Sequence, residues 1–184
     1  VHENANRIPS IGGLKTYIAE KIIAKHTLSI YPEEVRNAHL LGQIHIHDLG
    51  HGIGGYCSGW NLLQLLTQGF YGGRGTLKSK PPKHFTSALG QLLNFIGVIS
   101  QEWAGAQAVN SFDTLLAPFI YYDDLLYPQV KQAIQEFVFG LNVALRFGHE
   151  TPFTNITFDI TTPSDLKNAP VVIGGVPQDK TYDE

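Results

Sequence analysis

Two short stretches of the chain alternate apolar and polar residues, and a long, mostly helical region separates them. Residues 43 to 48 (QIHIHD) set two isoleucines on one side against His45 and His47 on the other. Residues 153 to 160 are rich in β-branched and aromatic side chains. Both segments show the two-residue period of a half-buried strand. Two strands so far apart do not make a sheet, so we predict an α-rich α/β fold whose partner strands lie beyond this sequence.

Helical patterns account for much of the rest of the chain. Ser10 precedes Leu14, Ile18 and Ile22, which recur at the four-residue spacing of a capped amphipathic helix. A second apolar stripe follows Pro128, a residue that favours the first turn of a helix. The predicted helices cover about residues 13–28, the segment between Pro32 and Gly42, residues 62–66, residues 83–108 and the segment from Pro128 onward.

Composition excludes several classes of protein. Thirteen Lys and Arg against sixteen Asp and Glu give a net charge of −3, which favours neither a nucleic-acid partner nor a membrane surface. No apolar run approaches the roughly 20 residues of a membrane helix, and no signal peptide is seen. A single cysteine excludes an internal disulfide and fits a reducing cytoplasm. The missing Met at Val1 and the loop-like last residues predict a fragment of a longer protein.

Cys57 is the first candidate for chemistry. Glycines at positions 50, 52, 54, 55 and 59 surround it, a density typical of a sharply bent loop that lets another group approach its backbone. A thiol there could serve as nucleophile, metal ligand, acid or hydrogen-atom donor. The alternative is a small buried hydrophobe, which is the usual environment of a lone cysteine.

His45 and His47 are the second candidates, because the predicted strand places both rings on one face. Two such imidazoles could bind a metal, shuttle protons or hold phosphate and hydroxyl groups. A metal site would need a further ligand, for which Asp48 and His51 are available. The alternative is ordinary packing, with Asp48 forming a turn at the strand end.

A basic cluster leads into the predicted helix that begins near residue 83. Free N–H groups at a helix N-terminus favour anions, so a nucleotide phosphate could bind there. A solvated loop is the alternative for the same residues. The candidates are Lys78, Lys80, Lys83 and His84, with Arg74, Gln91 and Asn94 as further polar contacts.

Seven blocks of the sequence, taken in order, resemble the anaerobic (class III) ribonucleoside-triphosphate reductases, which are glycyl radical enzymes. The blocks are ENAN (3–6), SIGGL (10–14), HIHDL (45–49), YCSGWNL (56–62), PPKHFTSALGQ (81–91), QEWAGAQA (101–108) and TPFTN (151–155). The resemblance implies the N-terminal part of a ten-stranded α/β barrel, with its first strand at about 43–48 and another at about 153–160. It also implies that the helices at about 83–145 serve dimerisation and an allosteric effector site.

The resemblance implies a reaction and site residues as well. Such enzymes replace the ribose 2′-hydroxyl of a ribonucleoside triphosphate with hydrogen, which supplies deoxyribonucleotides for DNA replication. Cys57 matches the cysteine that protonates the departing hydroxyl and returns hydrogen to the 2′-carbon. The remaining expected contacts are His45, His47 and Asn61 to the substrate, and Lys80, Lys83, Gln91 and Asn94 to a deoxynucleoside triphosphate or ATP effector, with no metal in this part.

Cofactors and partners follow from the same resemblance. The complete enzyme is expected to be a cytoplasmic homodimer with a structural zinc and a glycyl radical, installed by an S-adenosylmethionine/iron-sulfur activase. The ATP-cone, the thiyl loop and the radical glycine are expected outside this sequence, so the fragment alone would be inactive. His149 stands where a glycine-rich turn is expected. The alternatives are a formate-lyase type enzyme, whose paired cysteines are not seen at Cys57, and a noncatalytic nucleotide-binding or dimerisation module.

Overall fold

A computed structural model describes residues 10–71, 78–146 and 150–184. Its α-helices are α1 (Ile11–Ile30), α2 (Glu33–Leu40), α3 (Leu62–Gln68), α4 (Phe85–Ile99), α5 (Phe112–Tyr122) and α6 (Tyr127–Leu141), and a 3-10 helix covers Leu49–His51. Its strands are β1 (Ser58–Trp60), β2 (Phe70–Tyr71), β3 (Lys78–Ser79), β4 (Gln107–Val109), β5 (Thr154–Ile156), β6 (Pro170–Ile173) and β7 (Val176–Thr181). The mixture confirms the α/β class. No helix in these described ranges is long and apolar enough to cross a membrane.

The strands form three small sheets. β1, β4 and β5 are parallel and lie in that order, with Ser58 opposite Gln107 and Gln107 opposite Thr154. β2 pairs with β3, and β6 pairs with β7, both antiparallel. Gly174 and Gly175 join β6 to β7 with positive φ angles of 63° and 77°, the conformation that a tight two-residue hairpin turn requires.

One apolar core lies among α3, α4, α5 and α6 and reaches the parallel sheet. Leu66, Leu92, Ile96 and Phe119 are completely buried in it. Burying side chains of this size contributes about 1.5–3 kcal/mol each relative to exposure. The core therefore holds β1, which directly follows Cys57, and β4 against the helices.

Most of the predicted elements are confirmed. The helices at 13–28, after Pro32, at 62–66 and at Pro128 correspond to α1, α2, α3 and α6, and the second predicted strand contains β5. Gly42 ends the second helical region with a φ of 74°. The ENAN segment, Arg74 and His149 lie outside the described residues.

The strand predicted at residues 43–48 is wrong. The backbone N–H groups of Gln43 and Ile44 both donate to the Ala38 carbonyl, and Ile46 N–H donates to Nδ1 of His39. These bonds fold the segment back onto α2, so its donors are not available to a sheet partner. The strand that leads away from this region is β1, which begins immediately after Cys57.

The helix predicted at 83–108 is correct only as far as Ile99. The Ser100 hydroxyl donates to the Ile96 carbonyl and closes the last turn of α4. The chain then turns and becomes β4, whose Gln107 and Val109 are buried. The apolar composition of this stretch fits a longer helix as well as it fits a buried parallel strand. In the structure the stretch leads into the buried strand β4.

Candidate active site

Cys57 lies beside a bulge between β1 and its neighbour β4. Gly55 pairs with Trp103, and Ser58 pairs with Gln107. Between these two pairs the chain advances by three residues on the β1 side and by four residues on the β4 side. The extra residue lies at Gly105 or Ala106, opposite the cysteine. Bulges of this kind bend one strand and redirect a side chain, and they are frequent beside active sites.

The bulge holds the cysteine sulfur directly. The Ala106 N–H donates to Sγ of Cys57 at 3.2 Å, and the Gly105 N–H donates to the Tyr56 carbonyl at 2.6 Å. A Cβ at position 105 would overlap the sulfur, so only glycine fits there. Cys57 is nevertheless exposed. The buried-hydrophobe alternative is therefore wrong, and the thiol is accessible to a ligand.

A buried glutamine fixes the bulge from the other side. Gln107 is only 1% exposed. Its carbonyl oxygen accepts from the Trp60 indole at 2.8 Å, and its amide donates to the Gly105 carbonyl at 2.9 Å. The carboxamide is thus satisfied at both ends, as a buried polar group must be. Sequence reasoning missed this role because it placed Gln107 in a helix.

The histidines form a row of rings that ends next to Cys57. Ring centroids are 6.0 Å apart for His39 and His45, 5.7 Å for His45 and His47, and 6.3 Å for His47 and Tyr56. Tyr56 is the residue before Cys57. The predicted pair therefore lies on an irregular segment and not on a strand, and its rings reach the residue before Cys57. His39 and Tyr56 join the row without having been predicted.

Asp48 connects Tyr56 to His47. Its Oδ2 atom accepts from the Tyr56 hydroxyl at 2.9 Å and lies 3.5 Å from Nε2 of His47. Desolvation raises the pKa of Tyr56, and the hydrogen bond to the Asp48 carboxylate raises it further. The Tyr56 hydroxyl is therefore neutral at physiological pH and acts as a donor. Asp48 and Tyr56 are eight residues apart in the sequence. That spacing alone does not predict a contact between them.

The geometry does not support the metal alternative in the part of the chain described. There, no three His, Cys, Asp or Glu side chains are arranged to hold an ion. His51 faces Glu20 of α1 at 3.3 Å, whereas Asp48 faces Tyr56 and His47. His51 is thus paired with α1, whereas Asp48 is paired with Tyr56 and His47.

Comparison with known proteins decides the family. A sequence model described as anaerobic ribonucleoside-triphosphate reductase matches residues 3–184. The chain belongs to this family. The reductase of Escherichia coli K12 is 25% identical over 188 residues, covering 88% of this chain and 26% of that protein. The reductase of Salmonella typhimurium is 30% identical over 125 residues, covering 65% of this chain and 17% of that protein.

Solved structures of the family share the fold. The anaerobic ribonucleotide reductase of Thermotoga maritima in complex with dATP and CTP superimposes with a TM-score of 0.61 at 20% identity. The same enzyme with dATP bound in the specificity site gives a TM-score of 0.63 at 21% identity. Each covers 79% of this chain and 27% of the solved one. The chain thus spans about a quarter of the length of these relatives.

Asn61, an expected substrate contact of the reductase family, begins helix α3. Its Oδ1 atom accepts from the Gln64 N–H at 3.3 Å, which is the bond of a helix N-cap. The side chain is exposed and follows β1 directly. A contact with a nucleotide stays a prediction for this residue, and the capping bond limits how its amide can be oriented.

Of the expected effector residues, Lys80 and Lys83 precede α4, and Gln91 and Asn94 lie within it. Lys80, Lys83 and Asn94 are exposed, whereas Gln91 is 7% exposed. The Gln91 amide donates to the Ser79 hydroxyl at 2.6 Å and to the Lys80 carbonyl. Its carbonyl oxygen has no hydrogen-bond partner among the described residues. The structure thus brings Gln91 and Lys80 together, while Lys83 packs close to Gly174 of the β6–β7 turn.

An internal carboxylate occupies the helix end that we predicted to attract an anion. Oδ2 of Asp123 accepts from the Phe85 N–H at 2.7 Å, and Oδ1 lies 2.8 Å from Nδ1 of His84. Asp123 therefore caps α4 and neutralises its positive end. A phosphate in this region would have to rely on the exposed lysines and not on the first turn of the helix.

Proposed function

We propose that this chain forms part of the active centre of an anaerobic ribonucleoside-triphosphate reductase, with Cys57 as a catalytic residue. The supporting observation is the exposed Cys57, whose sulfur accepts from the Ala106 N–H at a bulge and which follows directly after Tyr56, the last ring of the row that contains His45 and His47. Family membership supplies the reaction class, and the geometry supplies a thiol that a substrate can reach.

The proposed reaction removes the ribose 2′-hydroxyl as water. The C2′–O bond breaks as the departing oxygen takes the proton of the Cys57 thiol, which leaves a thiolate. The thiolate takes up a new proton, and the re-formed S–H group then gives its hydrogen to C2′ and forms the new C2′–H bond. Two electrons and two protons are consumed for each water released. A reductant of the formate or dithiol class supplies them and restores the thiol. One thiol can serve in both steps because its proton is acidic, its S–H bond is weak and the group is reprotonated between the two steps.

The neighbouring polar groups would hold the nucleotide. His45 and His47 are exposed and offer ring nitrogens to ribose or phosphate oxygens. Tyr56 and Asp48 form a neutral donor and a charged acceptor next to the sulfur. Asn61 begins the helix that follows β1 and completes the predicted substrate contacts. The crystal complex of the Thermotoga maritima enzyme with dATP and CTP supports a nucleotide substrate for this chain.

The thiol role can be tested by replacing Cys57 with serine in the complete reductase. Serine retains a proton donor but has no weak S–H bond, so deoxyribonucleotide formation should fall by at least about 100-fold. Binding of the ribonucleoside triphosphate should be retained, which equilibrium dialysis would show. The control is Ser87→Ala, a change on the exposed side of α4. Turnover of Cys57→Ser within threefold of the unsubstituted enzyme would refute the proposal.

The start of α4 is the proposed effector site, which we assign to Lys80, Lys83, Gln91 and Asn94. The exposed side chains of Lys80 and Lys83 offer phosphate contacts, the exposed Asn94 offers a base contact, and the buried Gln91 holds the Lys80 carbonyl in place. The Thermotoga maritima enzyme binds dATP in a specificity site, which supports a deoxynucleoside triphosphate here. Calorimetric titration of the reductase with dATP should show about tenfold weaker binding for Lys80→Ala, since a charged phosphate contact is lost. The control, Lys131→Ala on α6, should bind normally; equal affinities for both would exclude Lys80.

The remaining partners belong to the same proposal. A homodimer, the activase that installs the glycyl radical and a cytoplasmic location are expected for the complete enzyme. The radical supplies, when present, the thiyl that removes the 3′-hydrogen of the substrate. The zinc would be held outside the described residues, because no three metal-binding side chains converge within them.

A further inference from the structure

A buried ion pair lies behind the bulge that holds Cys57. Nη1 of Arg146 is 2.9 Å from Oε2 of Glu150, and the two side chains are only 7% and 5% exposed. The Arg146 N–H also donates to the Glu150 carbonyl at 2.9 Å, so the residues pair across a bridge and not along a helix. Desolvating two charges largely offsets their attraction. A pair of this kind therefore calls for an explanation other than stability.

Arg146 and its neighbour Leu145 are hydrogen-bonded to the chain just before the bulge. Nη2 of Arg146 donates to the Ala104 carbonyl, and the Gln101 amide donates to the carbonyl of Leu145, the residue before Arg146. Planar guanidinium can serve a carboxylate and a carbonyl at the same time through separate N–H groups. Arg146 thus links Glu150 to the backbone at Ala104.

The Ala104–Gly105 peptide connects Arg146 to the segment that contains the cysteine. Its carbonyl accepts from Arg146, and its N–H donates to the Tyr56 carbonyl at 2.6 Å. Because a peptide unit is planar, fixing its oxygen also fixes the direction of its N–H. The next N–H, that of Ala106, donates to the Cys57 sulfur. One peptide therefore separates the arginine from the group that holds the thiol.

We propose that Arg146 and Glu150 are positioning residues for Cys57: Arg146 clamps the Ala104–Gly105 peptide, and Glu150 orients and neutralises Arg146. A thiol that must give up both a proton and a hydrogen has to stay protonated, and an unbalanced cation nearby would favour the thiolate. Desolvation raises the pKa of Tyr56, the neighbour of Cys57, and the charge of Arg146 opposes that rise only in part. The inference deepens the proposed function and rests on it.

The test is the pH dependence of Cys57 alkylation by iodoacetamide in the full chain, with the Cys57 peptide quantified by mass spectrometry. Glu150→Gln keeps the shape of the side chain but removes the carboxylate charge that faces Arg146. The alkylation curve should move to lower pH by roughly half a unit to one unit, and the rate at pH 7 should rise about threefold to tenfold. The control is Glu136→Gln, which removes an exposed carboxylate hydrogen-bonded to Gln132 four residues away.

Arg146→Lys tests the positioning role of the arginine separately from the effect of its charge. Lysine retains the charge opposite Glu150 but lacks the fork that also reaches Ala104. Its curve should keep the wild-type midpoint, while the plateau rate at high pH rises about twofold or more because the sulfur is held less firmly. Circular dichroism and thermal melting would establish that each variant is folded.

Wild-type alkylation in both folded variants would overturn the proposal. A variant that loses its fold, and whose folded fraction reacts like wild type, would also overturn it, because the pair would then serve folding alone. Neither result depends on turnover. Failure of the Cys57→Ser experiment would remove the catalytic role while leaving the alkylation result intact, so the two failures are distinguishable.

Discussion

Helices α1 and α4 both carry apolar residues at helical spacing but have opposite environments. α4 buries five of its apolar residues, Phe85, Ala88, Leu89, Leu92 and Ile96. In α1 the buried residues are Gly13 and Thr27, whereas Leu14, Ile18 and Ile22 are each more than half exposed. Periodicity therefore predicts that a helix forms and which face is apolar. Periodicity does not show whether another element in the described part of the chain packs against that face.

The ends of the two helices differ in the same way. Ser10 caps α1 locally, accepting from the Gly13 N–H at 2.9 Å. Asp123, located just after α5, caps α4 from 38 residues away in sequence at Phe85. A local cap can form in an isolated helix, whereas a distant cap requires the tertiary structure. α4 is therefore part of the cooperative core, whereas α1 packs mainly on the 3-10 helix at Leu49–His51 within the described residues.

The largest expected difference between the helices comes from truncating their apolar side chains. Leu92→Ala should lower the free energy of unfolding by about 2–5 kcal/mol, since it leaves a cavity in a fully buried site. Ile18→Ala, at a residue 54% exposed, should change it by less than about 0.5 kcal/mol. Denaturant titration of both variants in this chain measures the difference. Equal losses would mean that the stripe of α1 is covered in solution and would break the comparison.

The same contrast explains what the sequence could and could not predict. Helices α1, α2, α3 and α6 were predictable because a stripe and a cap are local signals. Strand β4 was not, because a three-residue strand such as Gln107–Val109 has too few residues to show a period. Its hydrogen bonds go to β1 and β5, each more than 40 residues away. The strand predicted at 43–48 failed for the related reason that α2 supplied nearer acceptors.

In the candidate site, too, only the features that depend on residues near in sequence could be predicted. Cys57 was identified from its own Gly-rich surroundings, and its exposure agrees with that interpretation. The bulge at Gly105 and the clamp by Arg146 were missed, because both depend on residues that are distant in sequence. Arg146 and Glu150 are also four residues apart, a spacing that normally indicates a surface pair on one helix. Burial, and not spacing, distinguishes this pair from the exposed pair of Gln132 and Glu136.

The contact that attaches α1 can be weakened selectively through Gly52. Its φ of −66° is accessible to any residue, so alanine is not excluded by the backbone. A Cβ there would overlap the methyl group of Thr27 and lie 2.7 Å from its hydroxyl oxygen. Gly52→Ala should therefore push α1 away from the 3-10 helix. Amide hydrogen exchange in α1 should accelerate about tenfold, while exchange in α4 stays unchanged, because only local opening becomes easier.

Two further variants make this smallest effect decisive. Gly90→Ala adds the same atom to α4 at a position with nothing within 4 Å, so exchange in α1 should not respond. Thr27→Ala combined with Gly52→Ala removes the overlapping atoms and leaves only the Thr27 Cβ, 3.1 Å from the new methyl group. Since the Thr27 hydroxyl makes no hydrogen bond in the described structure, this second change costs little by itself. The double variant should thus regain most of the α1 protection. If Gly52→Ala alone leaves α1 as protected as α4, the helix is anchored elsewhere and belongs to the core after all.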